Sequence, residues 1–459
     1  MNTESRLVEF INHTRLSDVP ESAMITLRRV LLAVSGTGVA GAGEEGVAPL
    51  RRLLLERGGR AEATSLVFGD RLPAASAALL NGTVCRALDF CDAMAPGVHV
   101  GSSVIPAALA AAELMGGVRG EDFMVALAVG TEIGARFNLT EQMYNGFDPT
   151  GIAAVFGAAA AAGRLMRLSD GQMLHALALA FNRCGGSFQS NVDGSLAVRL
   201  QQGLVAEAGV MCAQMAQAGL TGPRNFMQGH YGFVHLYAKN LCAPEYFVQA
   251  LGQTWRCEGF MFKRFPSCGV TQGVTQQALE IASELALSAD DVARAQVRLP
   301  PYAHRLVGNP FQMGENPRVN AQFSAQYCVA NAISRGASRL NHFTPEAVRQ
   351  IASTDLISRI EVVADPAMDA RGHSAVDLWL ETRDGRQSRR SFDIAPGYPG
   401  NPLSDADHRA RFDDCMSYAA WPFEPAQIAH WVGLIDSLQT LGDVRDLLPL
   451  WISAGAQAT

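Results

Sequence analysis

Through its first 260 residues the chain is dominated by long apolar segments with helical spacing, many with small side chains. "SSVIPAALAAAELMGG" (102–117), "GEDFMVALAVGTEIGARFNLT" (120–140) and "AAVFGAAAAAGRL" (153–165) are the extreme cases. Alanine and glycine at contact positions let helix axes approach closely. No stretch there sustains an alternation of period two, so the region predicts a helical domain. "ESAMITLRRVLLAVSGTGVAGA" (21–42) places Ile25, Val30, Leu31 and Val34 near one face, then dissolves into glycine. "AASAALLNGTVCRALDF" (74–90) reads as helix to about Phe90 with an interruption at Asn81-Gly82. Ser102 and Ser103 are candidate N-caps, with Gly116-Gly117 as a stop.

The pattern changes near residue 290. "ARAQVRLP", "SRIEVVA" and "SAVDLWLET" alternate over four to seven residues and are bounded by Asp, Pro or Gly. Two helical segments, near 320–335 and 344–352, lie between them, which predicts an α+β unit with a small antiparallel sheet. From about 403 the helical pattern returns and favours a C-terminus that rejoins the first domain.

A chain of 459 residues exceeds one ordinary core, so two domains are expected. Its 48% hydrophobic and 18% charged composition argues against disorder. The formal charge of -7 offers no broad footprint for nucleic acid. No basic-then-apolar leader is evident, and the run at 153–165 is too short to span a bilayer, so no membrane role is expected. Nine cysteines without a regular framework read as reduced thiols of a cytoplasmic protein. Neither His-x-x-x-His nor an oxygen-ligand loop occurs, nor does a phosphate-cradling glycine motif, so no metal or cofactor is expected.

The candidate chemistry lies where the helical country is interrupted. "ALDFCDAMAPGVHVGSS" (87–103) puts Asp89, Asp92 and His99 within eleven residues on a segment too rich in Gly and Pro to be one helix. His99 stands on a loop before a helix whose first amides, at Ser102, could receive a substrate carboxylate. Asp89 and Asp92 suit either capping or catalysis. "MYNGFDPTG" (143–151) offers Tyr144 and Asp148 to a pocket, with Pro149 starting the next helix. Of 37 basic residues only Lys239 and Lys263 are lysine. Lys239 lies in an ordinary polar loop. Lys263, in "GFMFKRFPSCGVTQG", is set between Phe262 and Phe265, an environment that disfavours the charged amine and suits a base. These groups suit proton removal beside a carboxylate, with arginines such as Arg86, Arg199 and Arg264 holding the acid.

Taken together, "RALDFCDAMAPGVHVGSSVIPAALAAAE", "YNGFDPTG", "AGLTGPRNFMQGHYGF", "KRFPSCGVTQ" and "NAQFSAQYCVA" resemble the MmgE/PrpD family over nearly the whole length. The resemblance implies a mainly α protein: a helical domain of residues 1–268 and 403–459, a smaller α+β domain of 269–402, no cofactor, a site between them, and a homodimer. It assigns site roles to Asp89, His99, Lys263 and Tyr327. The chain also departs from the family pattern. Cys91 replaces an Asp, Ala93 a Thr, Asp148 and Gln201 each a His, Val198 a Lys, and Gln272 a His. Fewer proton carriers with two bases retained fits epimerisation better than elimination. The expectation is therefore a cofactor-independent isomerase inverting a carbon next to a carboxylate in a small di- or polycarboxylate such as iminodisuccinate. His99, Lys263, Tyr144 and Asp89 would act on the proton, and Arg86, Ser102, Asp148, Arg199, Arg264, Gln272 and Tyr327 would bind the acid. The alternatives are a dehydratase or lyase acting on a 2-methylcitrate-like tricarboxylate, or an inactive scaffold.

Overall fold

Contact between small-residue helices organises the first of two units, formed by the chain up to Phe260 and again from Cys415. The computed structural model describes residues 2–457. The helices that matter here are α1 (Glu21–Gly41), α2 (Ala74–Arg86), α3 (Gly101–Leu114), α4 (Gly120–Arg136), α5 (Pro149–Leu165), α6 (Asp170–Phe181) and α7 (Ala197–Gln217). α7 packs along α2 and α5, α4 along α5, and α3 touches α2, α5 and α7.

Two crossings show why the sequence is so poor in large side chains. A Cβ at Gly82 of α2 would lie 2.8 Å from Gly203 Cα and 2.9 Å from Gln202 O on α7. A Cβ at Gly130 of α4 would lie 2.9 Å from Gly157 O on α5. Both contacts are backbone on backbone, so any side chain would force the axes apart.

Gly82 therefore does not interrupt α2, as its pairing with Asn81 suggested. Asn81 turns its amide outward instead, accepting from Leu66 N (2.8 Å) and donating to Thr64 O (2.9 Å). The helix ends at Arg86 rather than Phe90. α1 likewise runs on through its glycines to Gly41, and Ile25 does not share the buried face of Val30, Leu31 and Val34. Five residues rotate the helix by about 140° from a common face, which leaves Ile25 exposed. α1 is long and apolar enough to cross a membrane, but 67% of its apolar stretch is buried, against α2, α3 and α4 among others.

The C-terminal segment closes this unit. Val67 donates to Trp451 O and accepts from Ser453 N, both at 3.0 Å, and Val444 N donates to Val118 O at 2.9 Å. Trp431, on the helix Pro425–Asp436, meets Trp451 edge to face at 5.3 Å. Helices from both chain ends thus share one core.

The second unit spans Met261–Asp414. Its sheet contains β1 (Val292–Leu299), β2 (Ile360–Ala364), β3 (Val376–Thr382) and β4 (Gln387–Phe392), in the order β2-β1-β3-β4. Helices α8 (Gln272–Leu285) and α9 (Ala325–Arg335) supply Ile281, Val329 and Ile333 to a core shared with Val297, Leu299, Val376 and Leu378. The sheet is mixed rather than antiparallel. β1 and β2 run parallel, with Ala295 opposite Ile360, because residues 300–359 cross over through several helices before the chain re-enters the sheet.

Candidate active site

In the first unit, the Gly- and Pro-rich loop between α2 and α3 folds around His99. Its Nδ1 lies 2.7 Å from the main-chain oxygen of Asp92, and its amide donates to Thr150 Oγ1 at 3.0 Å. A carbonyl oxygen only accepts, so Nδ1 carries the proton in the neutral ring and Nε2 holds the lone pair. Nε2 is 3.8 Å from Asp89 Oδ1. The same carboxylate is paired with Arg86 at the end of α2. Asp89 reaches both partners from a left-handed backbone (φ 52°), a conformation that costs a non-glycine residue about 1–2 kcal/mol and that Asp tolerates better than most. Cys91 Sγ is 3.4 Å from His99 Nδ1.

Asp148 is the N-cap of α5. Its Oδ1 accepts from Thr150 N (2.8 Å) and Gly151 N (3.0 Å). Burial pushes its carboxyl above the usual range, against the pull of those amides and of Arg86. Burial also lowers the Arg86 guanidinium, but Asp89, Cys91 and Asp148 outweigh it and raise it. Arg86, Asp89, His99 and Asp148 therefore form one cluster of ionisable groups on a fixed frame. Thr150 and Gln202, which the sequence did not single out, complete that frame: Gln202 Nε2 lies 3.4 Å from Thr150 Oγ1. The adjacency of Thr150 to the cap at Asp148 was its only signal.

Ser102 and Ser103 are inside the first turn of α3, buried, and their hydroxyls have no hydrogen-bond partner among the described residues. Neither is an N-cap. The start of α3 does meet a carboxylate, but it belongs to Asp92, whose Oδ2 accepts from Gly101 N at 2.9 Å. Arg199 donates to Glu45 O at 2.8 Å and faces Glu44 at 3.8 Å, a buried tie to the end of the α1 loop. Tyr144 packs edge-on to Phe147 at 5.2 Å, and its carbonyl accepts from Nζ of the exposed Lys239 at 2.9 Å, which fastens this loop.

In the second unit, Lys263 is 3% exposed and its carbonyl accepts from Arg411. Arg264 pairs with Asp407 at 2.7 Å and donates to Gln276 at 3.0 Å. Gln272 is fully buried and spends its amide on the loop before it, accepting from Phe265 N (2.8 Å) and donating to Phe265 O (3.0 Å). The loop is also laced to the "NAQFSAQY" segment, with Cys268 N donating to Gln322 O (2.9 Å) and Gln322 Nε2 to Pro266 O (3.0 Å). Tyr327 of that segment is fully buried; its hydroxyl donates to His342 O at 2.5 Å, and burial raises its phenol well above the ordinary value. Among the described residues no three His, Cys, Asp or Glu side chains converge as a metal would require.

Two sequence profiles cover most of this architecture: the MmgE/PrpD N-terminal domain over residues 5–242 and the MmgE/PrpD C-terminal domain over 265–427. The chain belongs to the MmgE/PrpD family. It is 25% identical over 367 residues to cis-aconitate decarboxylase of Homo sapiens, covering 76% of this chain and 74% of that protein. It is 24% identical over 481 aligned residues to cis-aconitate decarboxylase-like protein oryM of Aspergillus oryzae, covering 98% and 97%. The cis-aconitate decarboxylase of Mus musculus is 23% identical over 421 residues, covering 88% and 84%.

These relatives correct the functional expectation. Within the MmgE/PrpD family the chain aligns with proteins named for decarboxylation, not with isomerases, and epimerisation of iminodisuccinate is set aside. The geometry removes part of its original support. Asp148 and Gln272, counted as lost proton carriers, have helix-capping and loop-holding partners here.

Proposed function

We propose that this member of the MmgE/PrpD family is a lyase acting on a small tricarboxylate, with decarboxylation of an unsaturated acid such as cis-aconitate as the leading reaction. The observation that carries this reading is the His99–Asp89–Arg86 cluster: an imidazole whose Nδ1 is engaged by a carbonyl and whose Nε2 faces a carboxylate. In that setting Nε2 can take or return a proton, and Asp89 stabilises the imidazolium. Such proton transfer contributes about 10²–10⁴ in rate.

For decarboxylation, the carbon–carbon bond to the departing carboxylate breaks and its electron pair delocalises into the neighbouring unsaturated acid. The His99 imidazolium then returns a proton to carbon. For dehydration of a 2-methylcitrate-like acid, His99 would take the α-proton, and the C–H electron pair would form the double bond as the C–O bond breaks. The imidazolium would give that proton to the departing hydroxyl, which leaves as water. Arg86 Nε is buried with no hydrogen-bond partner among the described residues and is a candidate to meet a substrate carboxylate. Lys263 is the second residue we assign to the chemistry. We place Asp148 in support of the frame around His99, and Gln272 and Tyr327 in support of the second unit's own segments.

The test is incubation with cis-aconitate while carbon dioxide release is measured, beside incubation with 2-methylcitrate while ultraviolet absorbance is followed. Release from cis-aconitate supports decarboxylation; an absorbance rise with 2-methylcitrate supports dehydration. The absence of both responses would sink the lyase reading. We further read the protein as a cytoplasmic homodimer: its nine cysteines are free thiols, and Leu204 and Met211 lie exposed seven residues apart on α7. Light scattering of the purified protein would decide the oligomeric state.

A further inference from the structure

Asp92 is fully buried and engaged through both its main chain and its side chain. Its main-chain carbonyl accepts from His99 Nδ1 at 2.7 Å, and its carboxylate accepts from the Gly101 amide at 2.9 Å. The two contacts grip the chain at His99 itself and two residues beyond. A Cβ at Gly101 would run into the Asp92 carboxylate, so this close approach needs glycine at 101. The Asp92 carboxylate also sits at the first turn of α3, where the helix dipole favours a negative charge.

Of Asp92's two contacts, the carbonyl is the one that distinguishes the two neutral forms of the ring. At 2.7 Å it opposes the Asp89 carboxylate, 3.8 Å from Nε2, which favours the other form. It accepts a proton from Nδ1 and would repel a lone pair placed there. The carbonyl stays in register only while the loop from 92 to 101 keeps its shape, and the carboxylate–amide bond to Gly101 closes that loop. The Thr150 bond to the His99 amide fixes the main chain but leaves the ring's tautomer open.

We propose that Asp92 is the positioning residue for His99, its carboxylate clamping Gly101 so that its own carbonyl holds the ring in the Nδ1–H tautomer with Nε2 directed at Asp89. Its effect on turnover rests on the lyase reading, whereas its effect on the tautomer does not. A plain helix-capping role would cost stability when removed but would leave the tautomer alone.

The experiment uses the full chain labelled with ¹⁵N-histidine, with His99 assigned by its absence in His99→Gln. Long-range ¹H–¹⁵N spectra without substrate should show the wild-type ring as Nδ1–H. Asp92→Ala should give a mixture of tautomers and a fall in kcat of about tenfold or more with KM nearly constant, the mark of a lost transition-state interaction. Asp92→Asn keeps an oxygen acceptor for Gly101 and should restore the tautomer and most of kcat. A wild-type Nε2–H ring, or a folded Asp92→Ala with the wild-type tautomer, overturns the proposal. If Asp92→Ala does not fold, the wild-type and Asp92→Asn spectra decide: an Nε2–H ring in either overturns it, and Nδ1–H in both supports it. If the wild type has no lyase activity but its tautomer is Nδ1–H and is lost in Asp92→Ala, the function fails and the Asp92 assignment stands.

Discussion

Asp148 Oδ1 lies 2.8 Å from the amide nitrogen of Thr150, at the first turn of α5. Where the family pattern has a histidine, this chain has a helix cap. Burial raises the Asp148 carboxyl above its ordinary value of 3.8, so the folded protein holds that proton more tightly than the unfolded chain. The resulting stabilisation is fully present below 3.8 and is lost as pH rises through the folded value. Asp148→Asn keeps the capping oxygen and has no charge to bury. It should match or exceed the wild-type melting temperature at neutral pH, with any advantage shrinking as the pH falls through the raised folded value and gone below 3.8. Asp148→Ala removes the cap and should cost about 1 kcal/mol. Melting curves across acidic and neutral pH check both.

His99→Gln should lower kcat by about 10²–10⁴ without unfolding the protein, because a glutamine can hydrogen-bond but cannot carry the proton. Asp89→Asn should act in the same direction for a different reason. It leaves the imidazolium without its counter-charge and leaves buried Arg86 short of its partner. Steady-state rates on cis-aconitate measure the first effect, and urea melts separate the second into activity and stability. A wild-type rate in His99→Gln would remove it from the chemistry.

Much of the architecture was legible because it depends on composition. Helices made of alanine and glycine can only pack closely, and alternating segments such as 292–299 can only bury one face. The parallel pairing of β1 with β2 was not legible, since both directions present the same alternation and the crossover alone decides. At the site, the sequence marked His99 and Asp89 through the unusual density of polar groups on a loop. It could not show that Asp92 lends His99 a main-chain oxygen, because every residue has one. Nor could it tell a residue missing from a reaction from one recruited to a cap, as at Asp148. That ambiguity tilted the reading toward an isomerase.

Tyr327 and Gln272 give a contrast between holding a site and touching a substrate. Tyr327→Phe removes one hydrogen bond, to His342 O, and should cost about 1 kcal/mol. Gln272→Ala strands the amide and carbonyl of Phe265, at about 1–3 kcal/mol for each buried group left unpaired. Both losses should appear in urea melts. A raised KM in Tyr327→Phe well below its melting temperature would instead place the phenol against the substrate.

Arg136 and Glu132, one turn apart on α4, are both fully buried and meet at 2.6 Å. Arg136 also donates to Gln249 O (2.8 Å) and Thr254 O (2.9 Å), and Glu132 accepts from Cys257 N (3.0 Å), so the pair fastens the segment from 249 to 257 onto the helix. Burial lowers the Arg136 guanidinium despite the pull of the neighbouring Glu132 carboxylate. Glu132→Gln leaves a buried cation without its counter-charge and should cost about 3–5 kcal/mol. Removing both charges with Glu132→Gln and Arg136→Met should cost less than the two single changes added, because neither leaves the other stranded. A full cycle of urea melts measures the coupling. Strict additivity would mean that the carbonyl bonds of Arg136, and not the ion pair, hold the segment.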